Sequence, residues 1–190
     1  RNELLEVAPN LRFIQSIGAG YDQFDLNALR ARGIRLASAK GVNRNAVSEH
    51  ALAMILALAR HIHTGRDHQR AHIWRGMISD LSRREDELGG KTLVIAGLGG
   101  IGSRLARLAK AFDMQVLATK RHPANGAEAA DEIYPPEKLG ELLPRADFVA
   151  LTCPLTPETR NLIDGAALAA MKPSAYLINV ARGACVDEPA

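Results

Sequence analysis

A glycine-rich turn between a strand and a helix constrains the fold of this chain more than any other feature. The run "TLVIAG" (92–97) is apolar, as a buried strand is, and "GIGSRLARLAKAF" (100–112) has the apolar spacing of an amphipathic helix. A second apolar run, "QVLAT" (115–119), follows directly. This order predicts a βαβ unit, in which the two strands are parallel and the helix covers one face of the sheet.

The same alternation of strands and helices continues along the chain. Strands are predicted over 12–17, 34–38, 147–153 and 175–180, and helices over 2–8, 26–33, 137–144 and 164–172. The sequence therefore predicts an α/β fold. A doubly wound, Rossmann-like parallel sheet is expected over 44–190, and part of a second α/β domain is expected over 1–43.

One long helix is expected between these two parts. The run "NAVSEHALAMILALARHIH" (45–63) is apolar on nearly every side, with Asn45 as a candidate N-cap, and such a helix is buried between domains or subunits. Residues 64–90 are polar and are expected to form an irregular connector around Trp74. We therefore predict a two-fold homodimer that uses this helix and connector.

Composition excludes several classes of protein. The net charge of +3 is mild and its basic residues are scattered, which argues against nucleic-acid binding. The sequence contains no run of 18 apolar residues, so no membrane span is predicted. The amphipathic, acid-containing start does not resemble a signal peptide. Two cysteines give no disulfide framework, so a reducing cytoplasm is expected. The six histidines lack a neighbouring acid or cysteine cluster, and no metal site is predicted.

The glycine turn also predicts a ligand. Gly97, Gly99 and Gly102 form the pattern G-x-G-x-x-G between a strand and a helix, which is the context that a dinucleotide-binding motif requires. The first glycine permits the tight turn, the second lets a pyrophosphate approach the backbone, and the third lets the helix pack on the strand. The N–H groups near Gly100 and Ile101 would then face the anion at a helix N-terminus.

The end of the second strand bears on the choice of cofactor. An acid about 20 residues after the motif binds the ribose hydroxyls of NAD, but Lys120 and Arg121 stand there in this chain. A cation cannot accept those hydrogen bonds, whereas both side chains can pair with a 2′-phosphate. The pair favours NADP(H) over NAD(H); the alternative is two solvated charges at a strand end.

Four stretches together resemble the D-isomer-specific 2-hydroxyacid dehydrogenases, the family of the glyoxylate/hydroxypyruvate reductases. They occur in the order and spacing of that family and cover nearly the whole chain. The stretches are "GAGYDQFDL" (18–26), "NAVSEHALAMILALAR" (45–60), "GGKTLVIAGLGGIGSRLA" (89–106), and "CPLTPETRNLID" (153–164) followed by "LINVARGACVDE" (177–188). The resemblance implies that residues 1–43 are part of a flavodoxin-like substrate domain.

The resemblance also implies roles for single residues. Arg182 matches the arginine that binds the substrate carboxylate and polarises its carbonyl, and Ala19 and Gly20 match backbone positions that hold the same carboxylate. The positions that match the nicotinamide side of the cleft are Cys153, Pro154, Val180 and Ala181. Apart from the resemblance, Arg182 is a strand-end cation, Gly20 part of a tight turn, and Cys153 a small buried side chain.

The chain departs from the family pattern in two places. Thr152 stands where many relatives have a histidine. The catalytic histidine and its glutamate partner have no match, because both follow the "VARGACVDE" stretch, so the chain is expected to be the central fragment of a longer enzyme. The implied reaction is hydride transfer between NAD(P)H and a small 2-keto acid of the glyoxylate or hydroxypyruvate type, giving a D-2-hydroxy acid. The alternatives are a nucleotide-responsive corepressor and another nicotinamide enzyme, such as a formate dehydrogenase.

Overall fold

The computed structural model of the chain describes residues 3–81, 84–122 and 129–190. It contains a two-stranded sheet of β1 (Phe13–Ser16) and β2 (Arg35–Ser38) and a five-stranded sheet, both parallel throughout. The strands of the larger sheet are β3 (Thr92–Ala96), β4 (Gln115–Thr119), β5 (Glu132–Tyr134), β6 (Phe148–Leu151) and β7 (Tyr176–Asn179). The predicted α/β class with a parallel, Rossmann-like sheet is confirmed.

The order of strands in the larger sheet is β5-β4-β3-β6-β7. The chain therefore runs outward from β3 to one edge, returns to the centre, and runs outward to the other edge. The point where the direction reverses lies between β3 and β6, and ligands of such sheets bind beside the carboxyl ends of the strands at this crevice. The helices are α1 (Glu3–Val7), α2 (Leu26–Ala31), α3 (Arg44–Ala59), α4 (Ile62–Arg70), α5 (Gly100–Lys110), α6 (Leu139–Leu142) and α7 (Gly165–Ala170).

Two apolar layers sandwich the larger sheet. Every residue of β3 and β6 is buried, as expected for central parallel strands that are covered on both faces. One layer joins α3 and α5 to the sheet through side chains such as Ile55, Leu93 and Leu105. The opposite layer joins α6, α7 and the segment after β7 through Leu142, Ile163 and Cys185. Among the described residues, no helix is long and apolar enough to cross a membrane.

The structure corrects the prediction for the long helix and its connector. The helix begins at Arg44, so Asn43 and not Asn45 occupies the N-cap position, where its side chain makes no capping bond. It ends at Ala59 instead of His63, because His61 adopts a left-handed backbone with φ of 50°. A second helix, α4, follows over part of the predicted irregular connector.

Two smaller corrections concern the second half of the sheet. The edge strand β5 was not predicted, because its three residues are too few to show alternation. The helix predicted over 137–144 contains only four α-helical residues, flanked by single 3₁₀ turns on either side. Pro136 is the first residue of one turn and Pro144 the second residue of the other, and these prolines limit the α-helical segment.

Asp147 ties three strands together at the amino end of the sheet. Its carboxylate accepts a hydrogen bond from the Thr92 backbone N–H at 2.8 Å and one from the Lys172 ammonium at 2.8 Å. Its backbone carbonyl accepts from the N–H of Tyr176 at 3.0 Å. Burial opposes ionisation of this carboxyl, but the two donors prevail and lower the pKa of Asp147.

We expect Asp147→Asn to destabilise the fold by about 1–2 kcal/mol at pH 7, toward the low end for charged hydrogen bonds because Lys172 is partly exposed. Because the pKa of Asp147 is lower in the folded state than in the unfolded state, its ionised carboxylate stabilises the fold at pH values above the unfolded pKa of about 3.9. This contribution is lost as the pH falls through the folded pKa. The difference between wild type and variant, measured by thermal unfolding, should therefore shrink below about pH 4. Asp67→Asn, on an exposed pair, is the control. A constant difference from pH 7 to pH 3 would contradict this account.

Candidate active site

The glycine turn after β3 has the geometry that its sequence predicts. Gly97 has φ of +103°, which disfavours other residues, and a Cβ there would lie 2.9 Å from the backbone of Cys153. A Cβ on Gly102 would lie 2.5 Å from the Gly97 carbonyl oxygen and 3.1 Å from Ile95. The first and third glycines are thus required by the close approach of strand, loop and helix.

The second glycine faces open space. A Cβ on Gly99 would meet no atom within 4 Å, and Gly99 caps α5 without any side chain. The N–H groups of Gly100 and Ile101 lie in the first turn of α5, where no intrahelical carbonyl can accept from them. An uncapped helix start that is open to approach fits the pyrophosphate of a dinucleotide, because the N–H groups and the helix dipole both favour an anion.

A cavity of about 590 Å³ lies beside this turn, at the carboxyl ends of β3, β4 and β6. Three sets of residues line it: the glycine turn, the end of β4 with Lys120 and Arg121, and the segment after β6 with Cys153 and Pro154. Glu137 and Glu158 also line it, so the cavity contains both signs of charge. The Thr156 hydroxyl, a backbone N–H and Arg121 together lower the pKa of Glu158, which is therefore ionised at neutral pH.

Thr152, which departs from the family pattern, holds the glycine turn in place. Its hydroxyl donates to the carbonyl oxygen of Gly97 at 2.7 Å. The next residue, Cys153, is a free thiol packed on the apolar layer below the cavity. Burial, together with the neighbouring Cys185, raises the pKa of Cys153 to about 12. The thiol stays protonated at neutral pH, so it acts as a cavity wall and not as a nucleophile.

Arg182 lies after β7 and reaches across to the loop that follows β1. A Cβ on Gly20 would overlap Nη2 of Arg182, so the guanidinium lies directly against the Gly20 backbone. Its Nε and Nη2 lie 3.2 Å and 3.1 Å from the same oxygen, Oδ1 of Asp22, and Nη1 donates to the carbonyl oxygen of Ala181 at 2.8 Å. Two residues that the sequence assigned to one substrate, Arg182 and Gly20, are therefore in contact although 162 positions separate them.

Three other predicted site residues, Ala19, Val180 and Ala181, are not among the described residues that line the cavity. Ala19 is half-buried beside Gly20. Val180 packs against the apolar layer that carries α3 and α5, and its N–H donates to the Leu151 carbonyl at 3.3 Å. Ala181 packs on the opposite layer. Val180, Ala181 and Arg182 thus follow β7 directly, as Thr152, Cys153 and Pro154 follow β6.

Sequence reasoning missed two residues that position Arg182. The Asn179 amide donates to the carbonyl oxygen of Arg182 at 2.9 Å and accepts from the N–H of Ala181 at 3.0 Å, which fixes the turn that presents the arginine. Asp22 binds the guanidinium from the other sheet. Asn179 could have been found, because asparagine after a strand commonly bonds to the backbone two or three residues away. Asp22 gave no such signal, since its partner is distant in sequence.

Comparison with known proteins agrees with this geometry. Residues 52–190 match the NAD binding domain of the D-isomer specific 2-hydroxyacid dehydrogenases. The chain is 40% identical over 190 residues to a D-3-phosphoglycerate dehydrogenase of Mycobacterium leprae, and the alignment covers 99% of this chain and 35% of that protein. It is 39% identical over 192 residues to a glyoxylate reductase of Pyrococcus furiosus, and this alignment covers 99% of this chain and 56% of that protein.

A solved structure gives the same result for the fold. The D-lactate dehydrogenase of Aquifex aeolicus, complexed with NAD and lactic acid, is 32% identical and superposes with a TM-score of 0.90 over 100% of this chain and 55% of that one. The chain therefore spans between about a third and somewhat more than half of the length of these relatives. The match to the family's nucleotide-binding domain extends over most of the 190 residues. This chain belongs to the D-isomer-specific 2-hydroxyacid dehydrogenase family.

Proposed function

We propose that the complete protein is a nicotinamide-dependent oxidoreductase that interconverts a small 2-keto acid and the D-2-hydroxy acid, with a substrate of the glyoxylate or hydroxypyruvate type. The proposal divides the chain into part of a substrate domain over 1–43 and a dinucleotide-binding domain over 44–190. The relatives named glyoxylate reductase and D-3-phosphoglycerate dehydrogenase support the class of reaction.

The observation that carries the proposal is the contact of Arg182 with Gly20. It places a guanidinium from the larger sheet against a backbone loop of the smaller one. A 2-keto acid has a carboxylate next to an electrophilic carbonyl, and a planar guanidinium can bind the first and polarise the second. The N–H groups of the loop at Ala19 and Gly20 would bind the carboxylate from the opposite side.

Each part of the chain then has one task in the reaction. A bound nicotinamide supplies or accepts the hydride. The glycine turn and the start of α5 hold the pyrophosphate, and Thr152 keeps the turn rigid through the Gly97 carbonyl. Arg182 stabilises the negative charge that develops on the carbonyl oxygen as the hydride arrives. No residue of the 190 is assigned as the proton donor: among the six histidines, His122 lines the nucleotide cavity, and the described contacts of Arg182 include none of them.

The decisive assay measures oxidation of NADH and NADPH by the complete protein in the presence of glyoxylate, hydroxypyruvate, pyruvate and 3-phosphohydroxypyruvate. We expect turnover of at least one of the small 2-keto acids and formation of the D-hydroxy acid. Reverse assays with formate would distinguish a formate dehydrogenase. Tight binding of NADH without turnover of any of these compounds would instead support the corepressor alternative.

We also propose that the protein is a two-fold homodimer whose interface uses α3 and the connector that follows it, including the segment after α4. Trp74 is 97% exposed and Met77 is 94% exposed, and with Ile62 and Ile73 they line a groove of about 1,050 Å³. Large apolar side chains this exposed mark interaction surfaces. A second copy is the proposed occupant, because the groove is continuous with the end of α3, whose Arg60 also lines it.

Replacement of Trp74 with serine should weaken this dimer by about tenfold in dissociation constant, since buried tryptophans contribute heavily to interfaces. Sedimentation velocity over a concentration series of the complete protein measures the change. Val7→Ser, at an exposed apolar site on α1, serves as the control and should have no effect. A wild type that sediments as a monomer at micromolar concentration would contradict the proposal.

The expected setting is a reducing cytoplasm, and the support for it is that Cys153 and Cys185 are both free thiols. The partner proposed for the cleft is a small-molecule acid. Neither a nucleic acid nor a membrane is proposed as a partner.

A further inference from the structure

Asp22 occupies a place beside Arg182 that the proposed reaction does not yet explain. It lies in the loop after β1, two residues beyond Gly20, and its Oδ1 lies within 3.2 Å of both Nε and Nη2 of Arg182. The two residues are 160 positions apart, and their ion pair joins the loop after β1 to the segment after β7. The side chains of Arg182 and Asp22 are 44% and 31% exposed, so both are open to solvent.

The hydrogen-bonding groups of Arg182 show what this pair leaves available. A guanidinium has five N–H donors in a fixed plane. Asp22 Oδ1 faces Nε–H and one N–H of Nη2, which is the side edge of the group. The Ala181 carbonyl accepts one N–H of Nη1. These bonds leave one N–H of Nη1 and one of Nη2, and these two nitrogens form the end edge of the guanidinium, the edge that binds a carboxylate as a bidentate fork.

We propose that Asp22 is a positioning residue: it binds the side edge of Arg182 so that the end edge is presented to the substrate carboxylate and carbonyl. This inference rests on the proposed function. The Asn179 amide fixes the backbone of the same turn, so Asp22 controls the remaining freedom, which is rotation of the long side chain. The contact with Gly20 restricts the guanidinium from a third direction.

The charge of Asp22 has a second consequence. The Arg182 guanidinium holds the pKa of Asp22 below its usual value, so the carboxyl is ionised throughout the neutral range. Its negative charge reduces the attraction between Arg182 and an incoming anion. The two effects of Asp22 are therefore opposed: its acceptor oxygen orients the Arg182 guanidinium, and its negative charge weakens the binding of an anionic substrate. Asparagine keeps an oxygen at the same place and removes the charge, which separates the two effects.

The experiment compares Asp22→Ala and Asp22→Asn in the complete protein, with Asp67→Ala as the control on an exposed Arg–Asp pair. Steady-state kinetics with the best 2-keto acid give kcat and KM separately. Calorimetric titration with oxalate, an unreactive dicarboxylate with the shape of glyoxylate, tests the fork without turnover. Circular dichroism verifies that each variant is folded.

We expect Asp22→Ala to lower kcat about tenfold, because a misplaced polarising group costs mainly transition-state stabilisation. Asp22→Asn should retain kcat within about threefold and bind oxalate more tightly than wild type, while Asp22→Ala binds it more weakly. Equal kcat and equal oxalate affinity in wild type and Asp22→Ala would overturn the inference. So would a tenfold loss of kcat in Asp22→Asn, because the charge and not the acceptor would then matter.

Failure of the proposed function has a different signature. A wild type that turns over no 2-keto acid refutes the proposed reaction, yet the oxalate titration still reports on Asp22 through its effect on Arg182. If Asp22→Ala does not fold, the Asp22→Asn variant decides: retained kcat with tighter oxalate binding supports the inference, and a tenfold loss of kcat or unchanged oxalate binding overturns it.

Discussion

Replacement of Arg182 with alanine should lower kcat/KM for the 2-keto acid by about 10²–10³-fold, which is the usual effect of removing one preorganised charge from a developing oxyanion. The structure adds a second reason for a large effect. Without Arg182 the carboxylate of Asp22 loses its partner and faces the cleft alone, where it repels the substrate. Affinity for NADH or NADPH, measured by fluorescence titration, should stay within a few-fold of wild type, because the described contacts of Arg182 are with Gly20, Asp22, Asn179 and Ala181 and not with the glycine turn.

A set of variants separates charge from geometry at this position. Arg182→Lys keeps the positive charge but cannot form the planar fork, so it should recover only a small part of the activity. The double variant Asp22→Ala with Arg182→Ala should be more active than Arg182→Ala alone, since the repelling carboxylate is gone. Arg66→Ala is the matched control on an exposed pair. An Arg182→Ala enzyme with near-normal turnover would show that the substrate binds elsewhere.

The parts of the fold that were predictable are those fixed by local rules. The strand, glycine turn and helix at 92–110 follow from apolar spacing and from backbone angles that glycine favours, and the structure reproduces them within one or two residues. The break at His61 was not predictable, because neither glycine nor proline marks it. A left-handed conformation is uncommon for histidine, so the residue type does not signal the break.

In the candidate site, too, some roles could be predicted from local sequence and others could not. Gly97, Gly99 and Gly102 could be assigned roles from their spacing, because each role depends on a missing Cβ. Arg182 required a resemblance, since an arginine after a strand has no pattern of its own. The roles of Asp22 and Thr152 could not be predicted, although Thr152 stood out as a departure from the family pattern: Thr152 acts on a loop 55 residues away and Asp22 on a side chain 160 residues away. Contacts this distant in sequence exist only once the sheets are assembled.

The cavity beside the glycine turn contains a balance of charges that bears on the cofactor. Lys120 and Arg121 follow β4 and line the cavity, and the Lys120 backbone is fixed by a 2.9 Å hydrogen bond from its N–H to the Tyr134 carbonyl. Glu158 lies in the same cavity and is attracted to Arg121. A 2′-phosphate therefore competes with Glu158 for Arg121, which reduces the preference that two cations alone would give.

We propose that Lys120 and Arg121 bind the 2′-phosphate of NADPH, and we expect wild type to prefer NADPH over NADH by about 10- to 100-fold in kcat/KM. A single charge-assisted bond to phosphate accounts for a factor of this size, and solvent exposure together with Glu158 places it toward the lower end. Arg121→Ala and Lys120→Asp should both lose the preference, mainly through a higher KM for NADPH. Lys120→Asp should go further and favour NADH, because an acid at the end of β4 can accept hydrogen bonds from the ribose hydroxyls.

Glu158→Gln provides the opposite test within the same cavity. Removal of its charge frees Arg121, so the preference for NADPH should increase in this variant while Arg121→Ala decreases it. One solved relative, the D-lactate dehydrogenase of Aquifex aeolicus, contains NAD, and the ratio of the two cofactors in wild type is therefore the first measurement to perform. A wild type that prefers NADH, or a ratio that none of the three variants changes, would show that Lys120 and Arg121 are solvated charges at a strand end and that the family's nucleotide site here accepts NAD.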